Sequence, residues 1–157
     1  LVNNLVYNPG SRAVHYNLLA QEWGDHQREN GQLTAIGNVM RAGPSTRSGL
    51  AFLMIGGQGD LDFYGRENLA VDWQGNPLPL LGRYTTSPAR IVNRDMPPGR
   101  LNGLDPLPAE QVEEWVLKNA GARPWDRDVH DRRVVSDAAE GRGKIIDSED
   151  QVGGYPR

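Results

Sequence analysis

The chain has no cysteine, which excludes a disulfide framework but leaves the redox compartment open, because disulfides are sufficient and not necessary evidence of secretion. It also lacks a long apolar run: the longest, about Leu50 to Ile55, is far below the roughly 18 residues that a membrane-spanning helix needs. Nor is there an excess of positive charge. Seventeen Lys and Arg against 20 Asp and Glu give a formal charge of -3, so no global basic field points to nucleic acid or to an anionic membrane, although a local basic groove stays open. No secretory leader is visible, and the glycines fit neither a phosphate loop nor a dinucleotide-binding turn. What is plentiful is Gly (19) and Pro (11), a composition of turns and irregular loops rather than of a helical bundle. With 157 residues, one domain burying roughly 70% of its unfolded surface is expected.

The opening stretch "LVNNLVYNPGS" begins at Leu1, without Met, inside an apolar run that two asparagines interrupt. Asparagine competes for backbone hydrogen bonds and is poor in strands. The same arrangement returns in "GNVMRAGPS" and "ENLAVDWQG": Asn4, Asn38 and Asn68 each precede a short apolar segment and a Gly or Pro turn, at separations of 34 and 30 residues. Irregular repeats of this length suit a solenoid whose circuits carry loops of different length. Parallel strands stack equivalent side chains about 4.8 Å apart, so the three amides are expected to form a structural Asn ladder, donating and accepting along the stack. The alternative is three unrelated turn asparagines in an ordinary β-sandwich. On the ladder reading, Leu1 exposes the cut edge of a stack.

Residues 1–84 are therefore expected to be circuits of parallel strands, and residues 85–157 a strap, helix and terminal hook packed on them as one domain. "TTSPARIVNRDMPPGRLNGLDPLP" is Pro-rich and unpatterned, as an extended strap would be. "PAEQVEEWVLKNAGARP" predicts a helix with Pro108 near its first turn, Val112, Trp115 and Val116 as anchors and Gly121 as its cap. A second helix is expected in "DRDVHDRRVVSDAAEG", capped by Asp128 and stopped by Gly141.

Together "VNNLVYNPGS", "GNVMRAGPST" and "VLKNAGARPWDRDVHDRRVVSDAAEGRGKIIDSEDQVGGYP" resemble, over almost the whole chain, the C-terminal half of pectate lyases, polysaccharide lyases built on a right-handed parallel β-helix. The resemblance implies an all-β solenoid with a C-terminal strap and one or two short helices. It implies secretion or a periplasmic location, an acidic polysaccharide as partner, and a monomer when complete. The activity implied is β-elimination on a uronic-acid polymer: a base takes the proton alpha to the carboxylate and the glycosidic oxygen leaves. Family members use Ca²⁺ to neutralise the substrate acid and an arginine as the proposed base. Both the Arg-x-Pro-x-x-Arg motif and the aspartate-rich calcium coil lie upstream of the strand that "VNNLVYN" resembles, and no Arg-x-Pro-x-x-Arg occurs here. No catalytic residue and no metal ligand is thus assigned, and the chain alone is expected to be inactive.

What remains are candidates for substrate binding. Arg12, His15 and Tyr16 follow the first Asn segment, and Arg41 and Arg47 flank the second; arginine can grip sugar carboxylates bidentately, and a loop histidine can serve acid–base chemistry. Trp73, at a strand-to-turn junction, offers a flat apolar face to a sugar ring, with Trp23, Phe63 and Tyr64 as weaker choices. Trp115 and Trp125 are expected to clamp the strap and helix, and His130 to be structural. His26 joins Glu22, Asp25 and Glu29 by composition only. Asp60 and Asp62 share a strand face, where they could chelate Ca²⁺, act as a hydrolytic acid pair, or be a hydrated turn. Two other function classes stay open: a non-catalytic glycan-binding or adhesin solenoid, and a glycoside hydrolase of related architecture.

Overall fold

The computed structural model describes residues 1–99, 101 and 103–155, so part of the expected strap (Arg100, Asn102) and of the terminal hook (Pro156, Arg157) lies outside the described residues. Nine short strands run in order: β1 (Leu5–Tyr7), β2 (Val14–Leu18), β3 (Gly31–Ile36), β4 (Val39–Arg41), β5 (Leu53–Gly57), β6 (Leu61–Arg66), β7 (Leu69–Val71), β8 (Leu81–Arg83) and β9 (Ile91–Asn93). Among the described residues two α-helices follow, α1 (Ala109–Asn119) and α2 (Val129–Glu140). Each strand pairs, in parallel, with the strand three places later, giving three open sheets ordered β1-β4-β7, β2-β5-β8 and β3-β6-β9. The chain therefore visits the three sheets in turn, three times over. The pairing sets Leu5 beside Val39 and Val39 beside Leu69, so the 34- and 30-residue spacings in the sequence are the lengths of two circuits.

Alternation along each strand divides inside from outside. Val6, Met40 and Ala70 come into register on the inner face of the first sheet, where Met40 is fully buried. Leu53, Ile55, Leu61 and Phe63 join them with Phe52 in one core. Strand β5 is buried along its whole length, which fits its place between β2 and β8.

The paired asparagines of the opening stretch do two different jobs. Asn4, Asn38 and Asn68 form a ladder: the Asn4 Nδ2 donates to Asn38 Oδ1 at 2.8 Å and the Asn38 Nδ2 to Asn68 Oδ1 at 2.8 Å. The backbone N–H of Asn4 and of Asn38 donates to the same two oxygens, at 3.1 and 3.0 Å. Asn38 is fully buried. The residue before each rung, Asn3, Gly37 or Glu67, has a left-handed backbone with φ of 51°, 60° and 53°, which turns the corner from one sheet to the next. Asparagine tolerates that conformation and glycine adopts it freely. At Gly37 a Cβ would stand 2.5 Å from the Asn3 amide and 2.7 Å from the Leu107 carbonyl, so only glycine fits there. Asn3 itself clasps the far end of the chain, donating to the Leu107 carbonyl at 2.9 Å and accepting from the Leu107 N–H at 2.8 Å.

That clasp delivers the chain into α1, which covers the outer face of β1 and β4. Ala109 and Val112 are buried against Val39, with Leu5, Leu107 and Val116 around them. Trp115, expected as an anchor, is 54% exposed. At 100° per residue it falls roughly a quarter-turn from the line of Ala109, Val112 and Val116. Trp125, expected to clamp the strap, is likewise exposed. The helix ends at Ala120 rather than at Gly121. In α2 the Asp128 carboxylate accepts from the His130 and Asp131 N–H groups, and Gly141, at φ 71°, stops the helix. The segment beyond returns to the first two circuits: the Tyr7 hydroxyl donates to the Arg142 carbonyl, and the Ile145 N–H donates to Ser45 Oγ at 3.0 Å.

Candidate functional site

The connections β1–β2, β4–β5 and β7–β8 all join the same two sheets, so the topology puts Arg12, Arg47 and Trp73 on one corner in successive circuits. The structure then separates the candidates. Arg12 extends along the outer face of the β2-β5-β8 sheet, and its guanidinium carbon sits 4.5 Å from the centroid of the Tyr84 ring. His15, outward on β2, meets the same ring nearly at right angles, at 81° with centroids 6.0 Å apart. Tyr84, which is not among the candidates read from the sequence, comes one residue after β8.

Glycine makes this cluster possible. By register, Tyr84 lies level with Gly56, because Arg83 pairs with Ile55. A Cβ at Gly56 would fall 2.5 Å from the Tyr84 ring. The ring thus crosses a strand that has no side chain at that point, and reaches toward β2. The Arg83 guanidinium donates to the Ser87 carbonyl at 3.2 Å and also to the Ala89 carbonyl, which holds the following loop. A depression of about 610 Å³ lies beside the ring, lined by Arg83, Tyr84, Thr85, Thr86 and Ser87. Among the described residues, the Arg12 guanidinium makes no hydrogen bond and no ion pair.

The other candidates have other work. Tyr16 turns inward: its hydroxyl donates to the Asp60 carbonyl and accepts from the Gly31 N–H, both at 3.0 Å, tying the first circuit to the second. Arg41, expected from the sequence as a sugar ligand, ties both helices to the strands. It pairs with Glu113 of α1, donates to the Ala138 and Ala139 carbonyls of α2, and lies 5.3 Å from the Tyr7 ring centroid. Its side chain is only 19% exposed. Arg47 is exposed on its loop, whose backbone N–H donates to the Gly10 carbonyl at 2.8 Å. Trp73 is 74% exposed on a turn held by Asp72, whose carboxylate accepts from the Gln74 and Asn76 N–H groups. It borders a cavity of about 330 Å³ shared with Arg41 and Gly141, apart from the Arg12 cluster.

Asp60 and Asp62 are rungs between β6 and β9. Arg90 donates to Asp60 through Nε at 3.1 Å, Nη2 at 2.7 Å and its backbone N–H at 2.9 Å; the Arg94 Nη2 donates to Asp62 at 2.9 Å. Hydrogen bonding from Arg90 holds the Asp60 carboxyl below the ordinary carboxylate range. A hydrolytic general acid needs the opposite shift. Among the described residues no three His, Asp or Glu side chains converge as metal ligands, and these two carboxylates are already spent on arginines. Asp60 and Asp62, so paired, are not arranged as a Ca²⁺ site.

Because the folded-state pKa of Asp60 is depressed, its pairing stabilises the fold above the unfolded aspartate value of about 3.9 and ceases to do so as the pH falls through the folded value. Asp60→Asn is thus expected to be less stable than the unsubstituted chain at pH 7. Urea unfolding at falling pH should show that gap closing below about pH 4; a gap independent of pH would contradict the pairing. Compared with known proteins, the chain matches no family model, no curated protein and no solved structure.

Proposed function

We propose that the chain is the C-terminal part of a right-handed parallel β-helix polysaccharide lyase of the pectate-lyase kind, secreted or periplasmic, whose β2-β5-β8 outer face holds the carboxylates of a uronic-acid polymer. Three circuits of parallel strands support the solenoid, and the strong right-handed preference of parallel crossovers supports its hand. The observation that carries the function is Arg12: an exposed guanidinium on an outer sheet face, beside His15 and Tyr84, with its donors unspent among the described residues. Such a group binds a planar carboxylate through two parallel N–H bonds.

In this reading the chain binds and orients the polymer. The base that removes the proton alpha to the carboxylate, and any calcium that stabilises the resulting anion, belong to circuits upstream of Leu1. No residue described in this chain supplies that step. The purified chain is expected to bind polygalacturonate and to release no unsaturated uronide, followed by its ultraviolet absorbance. Arg12→Gln should weaken binding about tenfold, the scale of one charge-assisted contact. Turnover by this chain alone would overturn the placement of the base, and an Arg12→Gln affinity equal to that of the unsubstituted chain would overturn the site.

A non-catalytic glycan-binding solenoid is the second reading, which needs only the unspent Arg12 donors; the arginine pairing of Asp60 and Asp62 leaves no acid pair there and so counts against a glycoside hydrolase. The coding sequence upstream of Leu1 separates the two. An Arg-x-Pro-x-x-Arg circuit preceded by aspartates supports the lyase, and its absence supports the binder.

A further inference from the structure

We infer that Tyr84 is a positioning residue that makes Arg12 selective for carboxylate-bearing sugars, an inference that rests on the glycan-binding reading of this face. A cation–π contact attracts a guanidinium electrostatically to the ring without consuming any N–H donor. Arg12, 4.5 Å from the Tyr84 centroid, is therefore held in place while its hydrogen-bonding edge stays available. Without the ring, a long exposed arginine would sample many rotamers and lose entropy on binding. Gly56 is the third member: its missing side chain gives the ring its seat, so this glycine acts on the ligand through two other residues.

The contact also explains why arginine suits the position. Lysine carries a compact charge that neither stacks flat nor forms two parallel bonds to a carboxylate. Tyr84→Phe keeps the ring, and the Tyr84 hydroxyl has no hydrogen-bond partner among the described residues, so that variant should bind as the unsubstituted chain does. Tyr84→Leu keeps apolar bulk over Gly56 but removes the π face. Gly56→Ala puts a methyl group where the ring lies.

The test measures binding of an oligogalacturonide and of a neutral galactan by calorimetry, together with the proton shifts of the Arg12 δ-methylene. Tyr84→Leu, Gly56→Ala and Arg12→Lys are each expected to lose about tenfold in affinity for the oligogalacturonide and little for the galactan, with Tyr84→Phe unchanged. The upfield ring-current shift of the Arg12 methylene should be present in the unsubstituted chain and in Tyr84→Phe, and absent in Tyr84→Leu and Gly56→Ala. If Arg12→Gln weakens binding while Tyr84→Leu does not, the positioning role falls and the site stands. If Arg12→Gln binds as well as the unsubstituted chain, the site falls and the positioning role with it. Arg12→Lys, which leaves the seat of the ring untouched, decides the question should the other variants fail to fold: full affinity there would overturn the inference.

Discussion

Asn38→Leu is expected to cost about 4 kcal/mol of stability, the sum of several buried polar groups left without partners at about 1–3 kcal/mol each. In a chain of this size that is a fall in Tm of roughly 8–16 °C. Leucine has the same number and branching of side-chain heavy atoms, so no cavity is opened and the lost hydrogen bonds are the main term. The Asn68 Oδ1 would lose the Asn38 Nδ2 but keep the backbone N–H of residue 38, the Leu1 carbonyl would lose the Asn38 Nδ2, and both the N–H and the Nδ2 of Asn4 would lose Asn38 Oδ1 as acceptor. Asn4 keeps its contact to the Val2 carbonyl, which limits the damage on that side. Thermal and urea unfolding measure the effect. A cost below about 1 kcal/mol, the net worth of a single ordinary hydrogen bond, would mean that the ladder is a bystander to packing. Asn4→Ala, at the exposed end of the ladder, should cost much less than Asn38→Leu.

Arg41→Met should release the two helices from the strands at a cost of about 3 kcal/mol, since it strands a half-buried Glu113 and uncaps the carbonyl end of α2. Methionine keeps most of the apolar stem, so the loss isolates the charge and its hydrogen bonds. The signature is where protection is lost, not only how much. Amide hydrogen exchange should speed up in α1 and α2 and stay slow in β5, which is buried along its length and belongs to a different sheet from β1 and β4, the strands that α1 covers. Equal acceleration in β5 would show the helices and the stack to be one cooperative unit, contrary to a clamp at Arg41.

These two residues also mark the limit of what the sequence makes legible. The ladder is visible because a repeat puts the same residue type at the same place in each circuit, and its 34- and 30-residue spacings are directly circuit lengths. Asn3 is not, although it adjoins a rung: its left-handed backbone and its clasp on Leu107 depend on a partner 104 residues away. Arg41 resembles a groove arginine for the same reason, its partners standing 72 and 97 residues downstream. Tyr84 escapes notice because its significance rests on an absence, the side chain that Gly56 lacks, and on the register of β5 with β8. Tyr16 differs from its neighbour by one step of alternation. Its neighbour His15 faces out, and Tyr16 itself faces in, where its hydroxyl bridges two turns. A signal for that was present: in a five-residue strand of alternating exposure, adjacent residues never share a face.

The most direct test of the uronate-binding account is a titration of the isotopically labelled chain with a short oligogalacturonide, followed residue by residue by NMR. The account predicts shifts concentrated at Arg12, His15, Gly56 and Tyr84, weaker effects along the exposed loop of Arg47, and none at Arg41 or Tyr16, whose polar groups pair with partners inside the fold. Shifts clustered instead around Trp73, or no response from the Arg12 face at saturating ligand, would contradict it.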